Sequence, residues 1–232
     1  TGYAKSQEEF DRVSGEILTE LGEYHRLYTI YHRFEGLENL CTVNELVDGQ
    51  PRTVTVDRRI VDMLLYAKEM YAKTDGRVNI AMGSVLSIWH DYRELGMSDP
   101  ASAELPPMEK LIEAAKHTDI NCLVIDEENS TVTLTDPQMR LDVGAIAKGY
   151  AVDVASRQLK AKPGVKALVD LGGNLKAVGG DWTVAIAGSE RMVTLKDGMA
   201  CATSGEYFRG RHIRDGRSGA ELKTKIFSVT VI

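Results

Sequence analysis

The hydrophobic period of this chain changes partway along its length, and that change limits the architectures open to it. In the first half, apolar residues recur at helical spacing. Ser6-Gln7-Glu8-Glu9 reads as a capping box, and Phe10, Val13, Ile17, Leu21 and Tyr24 follow on one stripe. Asp57 caps a second helix, with Ile60, Met63, Leu64, Ala67, Met70 and Tyr71 on its inner face. A shorter third helix runs from Lys110 to His117, entered through Pro106-Pro107. NCLVID and TVTLT, joined by Glu127-Glu128-Asn129-Ser130, make a hairpin. After residue 164 the pattern becomes short β-runs, VKALVDL, WTVAIAG, MVTL, MACAT and IFSVTVI, punctuated by Gly, Asp and Asn. Helices lead and strands follow without the regular alternation of a doubly wound sheet, so the class is α+β. One continuous unit over residues 1–232 is expected, with the N-terminal helices packed on a mostly antiparallel, β-rich C-terminal half.

Bulk properties exclude several roles. A net charge of -6 does not suit a nucleic-acid surface, which needs a basic excess. The longest apolar runs, such as IVDMLLYA, fall far short of the roughly 20 residues that span a membrane. Cys41, Cys122 and Cys201 form no CxxC or Cys/His ligand pattern, and an odd count cannot complete a disulfide framework, so they read as small buried hydrophobes. Thr1-Gly2-Tyr3 has no start methionine, which suggests a chain that begins after a removed leader.

The segment LDVGAIAKGYAVD, residues 141 to 153, turns a strand into a helix. Met139, Leu141 and Val143 suit the strand, Gly144 the turn, and Ala145 to Leu159 the helix. A helix N-terminus offers unpaired N–H groups and a positive dipole end to an anion. Lys148 falls in the first turn, where a cation opposes that dipole unless something negative lies nearby. Either the helix is a plain amphipathic one with Lys148 in solvent, or it holds a phosphate or carboxylate, with Asp142 and Asp153 the nearest acids. Neither GxxxxGK[ST] nor GxGxxG occurs, so no P-loop or dinucleotide fingerprint is present.

Other segments carry weaker signals. Asp170-Leu171-Gly172-Gly173-Asn174 ends an apolar strand with two glycines and an amide, which suits either an ordinary tight turn or a close ligand approach. Thr203-Ser204-Gly205-Glu206-Tyr207 follows MACAT in the same way, and Ser204 lacks the G-x-S-x-G of a nucleophile elbow. His212-Ile213-Arg214-Asp215 places an imidazole three residues from a carboxylate, either a surface histidine or a general base. Thr74 to Gly83, followed by Trp89-His90, mixes a DG turn with small residues and Met82, suited to core packing or to a flat aromatic ligand.

Taken in order, YTIYHRFEGLENLCTVN, TDGRVNIAMGSVLSIWH, LDVGAIAKGYAVD, LVDLGGNLKAVG, W-x-VAI, ATSGEYFR and HIRDGRSG resemble the ApbE family of FAD:protein FMN transferases. The resemblance covers nearly the whole chain. It implies a Mg²⁺-dependent enzyme that takes FAD as substrate and attaches FMN through a phosphoester to a Thr or Ser hydroxyl of a partner protein, of the respiratory or redox subunit type. AMP is the other product. It implies further that Asp142 and Lys148 contact FAD and that the carbonyl of Ala145 ligates the metal. Val78, Asn79 and Met82 would line the FAD pocket beside Tyr31 and Asn39. Gly172, Gly173, Asn174, Thr203, Ser204, Gly205 and Ile213 would complete the cleft. His212 would be the base that activates the acceptor hydroxyl, and Asp215 would support its loop.

Where the family usually reads H-H-I-I-D-P-x-T-G, this chain has Arg211 for the first His, Arg214 for the second Ile and Gly216 for the Pro. Relatives also continue into an A-D-x-L-[AS]-T segment whose Asp and Thr ligate the metal, and this sequence stops at Ile232. Two alternatives go with the same residues: a metal-dependent FAD pyrophosphatase, and a non-catalytic FAD-binding module. The implied setting is extracytoplasmic, at the cell surface or on the periplasmic side, with membrane attachment only through an upstream lipid anchor.

Overall fold

In a computed structural model, residues 1–45, 53–186, 189–205, 213–215, 219–221 and 225–232 are described. The fold divides into two compact units, each built from separate stretches of chain: Thr1–His25, Ile146–Ile213 and Lys223–Ile232 in one, Arg26–Ala145 and Arg214–Leu222 in the other.

The first unit is the β-rich one. It contains β1 (Gly2–Tyr3), most of α1 (Gln7–Tyr28), α6 (Ala147–Lys160) and six further strands: β5 (Lys166–Asp170), β6 (Asn174–Val178), β7 (Trp182–Ala185), β8 (Met192–Leu195), β9 (Ala200–Gly205) and β10 (Ser228–Val231). Five of them form an antiparallel sheet in the order β1-β5-β6-β9-β10, and β7 and β8 form a separate hairpin. Period-2 alternation decides which layer each side chain joins. Ala167, Val169 and Val178 pack against Val13 and Ile17 of α1 and Val152, Ala155 and Leu159 of α6. Leu168, Leu175 and Ala177 point the other way and meet Val184, Leu195 and Trp182 of the hairpin. The predicted capping box at the start of α1 forms in a shifted version: the Ser6 hydroxyl accepts from the Glu9 N–H (3.2 Å), while the Glu9 carboxylate accepts from the N–H of Lys5 (2.9 Å).

The second unit holds α2 (Leu40–Val43), β2 (Thr53–Thr55), α3 (Arg58–Lys73), α4 (Gly83–Ser98), α5 (Met108–Ala115), β3 (Leu123–Asp126) and β4 (Thr131–Leu134). Its sheet is antiparallel in the order β2-β4-β3, and β3 and β4 are the predicted hairpin. Asp57 caps α3 as expected, its carboxylate accepting from the Arg59 N–H (2.8 Å). Ile60, Met63, Leu64 and Ala67 are buried, with Met70 and Tyr71 half-buried at the rim.

The α+β class and the antiparallel pairing agree with the sequence reading. Five of these elements were not anticipated. Two are the short strands β1 and β2, and a third is the four-residue helix α2. The fourth is α4, whose first turn is Gly-Ser and whose cap residue Met82 makes no side-chain bond to it. The fifth is β6, whose first residue, Asn174, read as part of a turn. The third predicted helix lies two residues earlier than expected, at Met108–Ala115. Among the cysteines, Cys201 is buried as predicted, whereas Cys41 and Cys122 are half-buried, and none is in a disulfide. Among the described residues no helix is long and apolar enough to cross a membrane.

Candidate functional site

In the β-rich unit, the chain enters α6 through Ile146, a buried cap residue whose side chain makes no hydrogen bond to the helix. Among the described residues, Ile146 gives the first N–H groups of α6 no side-chain cap. Lys148, in that first turn, is exposed and donates to the carbonyl of Gly172 (3.4 Å). Asp153, one of the two acids considered as its partner, pairs instead with Lys176 of β6 and with Arg157 (3.3 Å). Gly172 and Gly173 both have positive φ, 59° and 88°, which only glycine adopts without strain, so this β5–β6 turn depends on them.

The same turn is fastened at both ends. The Gly173 N–H donates to the Asp170 carboxylate (3.1 Å), and its carbonyl accepts from the Thr203 N–H (3.1 Å). Asn174 pairs with Ala202 across the sheet, and its Oδ1 lies beside Gly149 of α6, 3.6 Å from where a Cβ would sit. Thr203 shares a hydroxyl contact with Thr230 (2.9 Å). Six residues predicted for the site, Lys148, Gly172, Gly173, Asn174, Thr203 and Ser204, thus gather around the start of α6 and the adjoining strand ends, with Gly205 the last residue of β9.

The helical unit contains Tyr31, Asn39, Val78, Asn79, Met82, Asp142, Ala145 and Asp215 in more varied surroundings. Asp142 is half-buried, its carboxylate folded back to accept from the Gly144 N–H (2.8 Å), its own N–H donating to Ile80 (2.8 Å). Ala145 is exposed. Asn79 bridges two segments, accepting from the Ala81 N–H (2.9 Å) and donating to the Thr118 carbonyl (2.9 Å). Val78 is half-buried, its N–H held by the Thr74 hydroxyl (3.0 Å). Met82 is buried in the α4–α5 core with Val85 and Leu111. Asn39 is buried completely and caps α2, accepting from the Thr42 N–H (3.2 Å) and donating to Arg26 and His32 carbonyls (2.9 Å each), so all its amide groups hold the backbone. Tyr31 is exposed, its ring 5.3 Å from that of His90.

In the loop that includes Asp215, Arg214 stacks on Trp89 with its guanidinium carbon 3.7 Å from the ring centre. Burial there draws the Arg214 guanidinium below its ordinary pKa. Asp215 closes the loop through its backbone, donating to Ala220 (2.9 Å) and accepting from Gly219 (2.8 Å). Ile213 is half-buried; His212, Glu206 and Tyr207 lie outside the described residues. Sequence reasoning missed Asn44, whose side chain engages Leu141 next to Asp142, and nothing in its local sequence marks that role.

A divalent cation needs several oxygen ligands at fixed positions. Among the described residues no three His, Cys, Asp or Glu side chains converge to hold one, and the Ala145 carbonyl supplies a single donor. These residues alone do not fit a complete Mg²⁺ site.

The α+β fold is shared with known proteins of solved structure. The sequence profile of the ApbE family matches residues 5–232, so the chain belongs to the ApbE family. A relative from Klebsiella pneumoniae, named FAD:protein FMN transferase, is 30% identical over 228 residues, covering 89% of this chain and 69% of that protein. The flavinyl transferase ApbE of Pseudomonas stutzeri, solved in its apo form, is 26% identical with a TM-score of 0.76, covering 98% of this chain and 71% of that one. The ApbE protein of Thermotoga maritima superposes with a TM-score of 0.79 at 23% identity, over 99% of this chain and 75% of the other, a likeness of fold.

Proposed function

We propose that this protein transfers FMN from FAD to a Thr or Ser hydroxyl of an acceptor protein. The observation that carries the reading is Lys148. A lysine in the first turn of a helix whose cap residue gives no side-chain bond is unfavourable in isolation, yet here it is held toward the Gly172-Gly173 turn, a cation beside a helix start. The diphosphate of FAD supplies the charge that this arrangement lacks.

The acceptor oxygen attacks the phosphorus of the FMN half, and the bond from that phosphorus to the bridging oxygen breaks. AMP leaves with the bridging oxygen, and the hydroxyl proton passes to a base. His212 is the base in this reading, with Asp215 in the loop that follows it. Lys148 and the α6 N–H groups offset charge on the phosphates, while Asp142 holds the turn leading into the helix. The Ala145 carbonyl would be one ligand of Mg²⁺, which would supply charge neutralisation at the phosphates; no step here depends on it. The respiratory or redox nature of the acceptor and the extracytoplasmic, lipid-anchored setting belong to the same proposal.

The test is incubation of the protein with FAD, Mg²⁺ and an acceptor protein, followed by denaturing electrophoresis. A fluorescent band at the acceptor with matching AMP release is expected. Free FMN and AMP without an adduct would replace transfer by hydrolysis. FAD that is bound but left intact would make the protein a binding module.

A further inference from the structure

Leu141 is fully buried, and its backbone lies between two partners within the helical unit. On one side runs the segment from Ile80 to Met82: Asp142 donates to the Ile80 carbonyl (2.8 Å), and Arg140 forms a parallel bridge with Met82. This approach is so close that a Cβ on Gly83 would lie 2.5 Å from the Arg140 carbonyl oxygen. On the other side, among the described residues, no strand pairs with Leu141. Asn44 takes that place: its Oδ1 accepts from the Leu141 N–H (2.7 Å) and its amide donates to the Leu141 carbonyl (2.9 Å). One primary amide thus does for Leu141 what a neighbouring strand does through its backbone, satisfying donor and acceptor together.

We infer that Asn44 is a positioning residue for the phosphate-binding turn. This rests on the functional reading above. The residues after Leu141 are Asp142, with its carboxylate on Gly144, and the exposed Ala145, the ones that reading assigns to FAD and metal. A turn that must meet a diphosphate needs its entry fixed, and a bidentate amide fixes the two peptide groups that flank one residue at once. Asn44 itself is held at the end of α2, its N–H donating to Leu40 and Thr42 carbonyls. Asn39 caps the other end of this four-residue helix, so its two ends are the cap and the clamp.

Two measurements on Asn44→Ala test the inference. In the protein without FAD, hydrogen exchange at the Leu141 amide should accelerate by about tenfold or more, while amides of α3 stay protected. FAD affinity should weaken by about tenfold, with a higher KM and a smaller change in kcat. Asp57→Ala, which removes the α3 cap instead, serves as the destabilised control and should leave FAD affinity unaltered. Unchanged Leu141 exchange in Asn44→Ala would overturn the clamp. Equal loss of FAD affinity in both variants would reduce Asn44 to general stability and overturn the positioning role. Wild-type protein that binds no FAD would overturn the functional reading and the clamp's part in binding, and the exchange result would still decide whether the clamp holds Leu141.

Discussion

The guanidinium of Arg214 lies flat over Trp89, 3.7 Å from the ring centre, and the Trp89 indole N–H donates to the Gly219 carbonyl (3.1 Å). A single side chain of α4 therefore anchors both ends of the loop that carries Asp215. Trp89→Phe keeps an aromatic face and loses the hydrogen bond; Trp89→Ala loses both. Transfer rates should fall in that order, to about a tenth or less for Ala, since a partly buried cation–π contact and a hydrogen bond contribute about 1–2 and about 1 kcal/mol. Steady-state kinetics at saturating FAD will check the order, and equal rates for both variants would detach the loop from Trp89.

Lys148→Met removes the charge at the start of α6 and keeps most of the side-chain volume. FAD binding should weaken about tenfold or more, as for loss of a hydrogen bond to a charged group. The deficit should shrink as salt is raised, because screening weakens the wild-type interaction too. Titration calorimetry at two ionic strengths measures both effects.

Gly83→Ala forces a methyl group against the Arg140 carbonyl, and backbone cannot move aside as a flexible side chain can. The unfolding free energy should drop by about 1–3 kcal/mol, the usual cost of overpacking. Urea denaturation gives the value directly, and an unchanged midpoint would show that the segment yields.

The side-chain bonds from Arg59 hold the Asp57 carboxyl below its ordinary pKa, against the opposing effect of burial. A folded-state value lower than the unfolded one means that the unfolded chain binds the proton more readily. Asp57 therefore contributes stability above its unfolded pKa, and this is lost as pH falls through the folded value. Asp57→Asn keeps a cap without the charge, so its stability should decline less steeply below about pH 4. Chemical denaturation across that range compares the two slopes.

What could be read in advance, and what could not, follows from where the determining contacts lie. The inner faces of α1 and α3 were legible because Ser6 and Asp57 mark their starts and the apolar residues repeat within a few turns. α4 was not, since Met82 carries no cap signal. β6 was hidden by Lys176, a charge within the strand that pairs with Asp153 of α6. Around the site, Lys148 announced itself by conflict with the helix dipole and Gly172-Gly173 by their turn chemistry, both local effects. Asn44 acts on a residue 97 positions away, so no local pattern could report it. Asn39, expected beside a ligand, has its amide committed to three backbone groups, a use that depends on where residues 26 and 32 end up.

Ile146 stands where a helix of this length would ordinarily have Ser, Thr, Asp or Asn. A hydroxyl there would stabilise the helix by about 1 kcal/mol, and it would do so by accepting from the N–H groups that the anion of the proposed reaction would use. Such a side chain would be a tethered competitive inhibitor, present at a concentration no substrate could match. An apolar residue at this position cannot compete in that way, so the helix start gives up a cap that a polar side chain would have supplied.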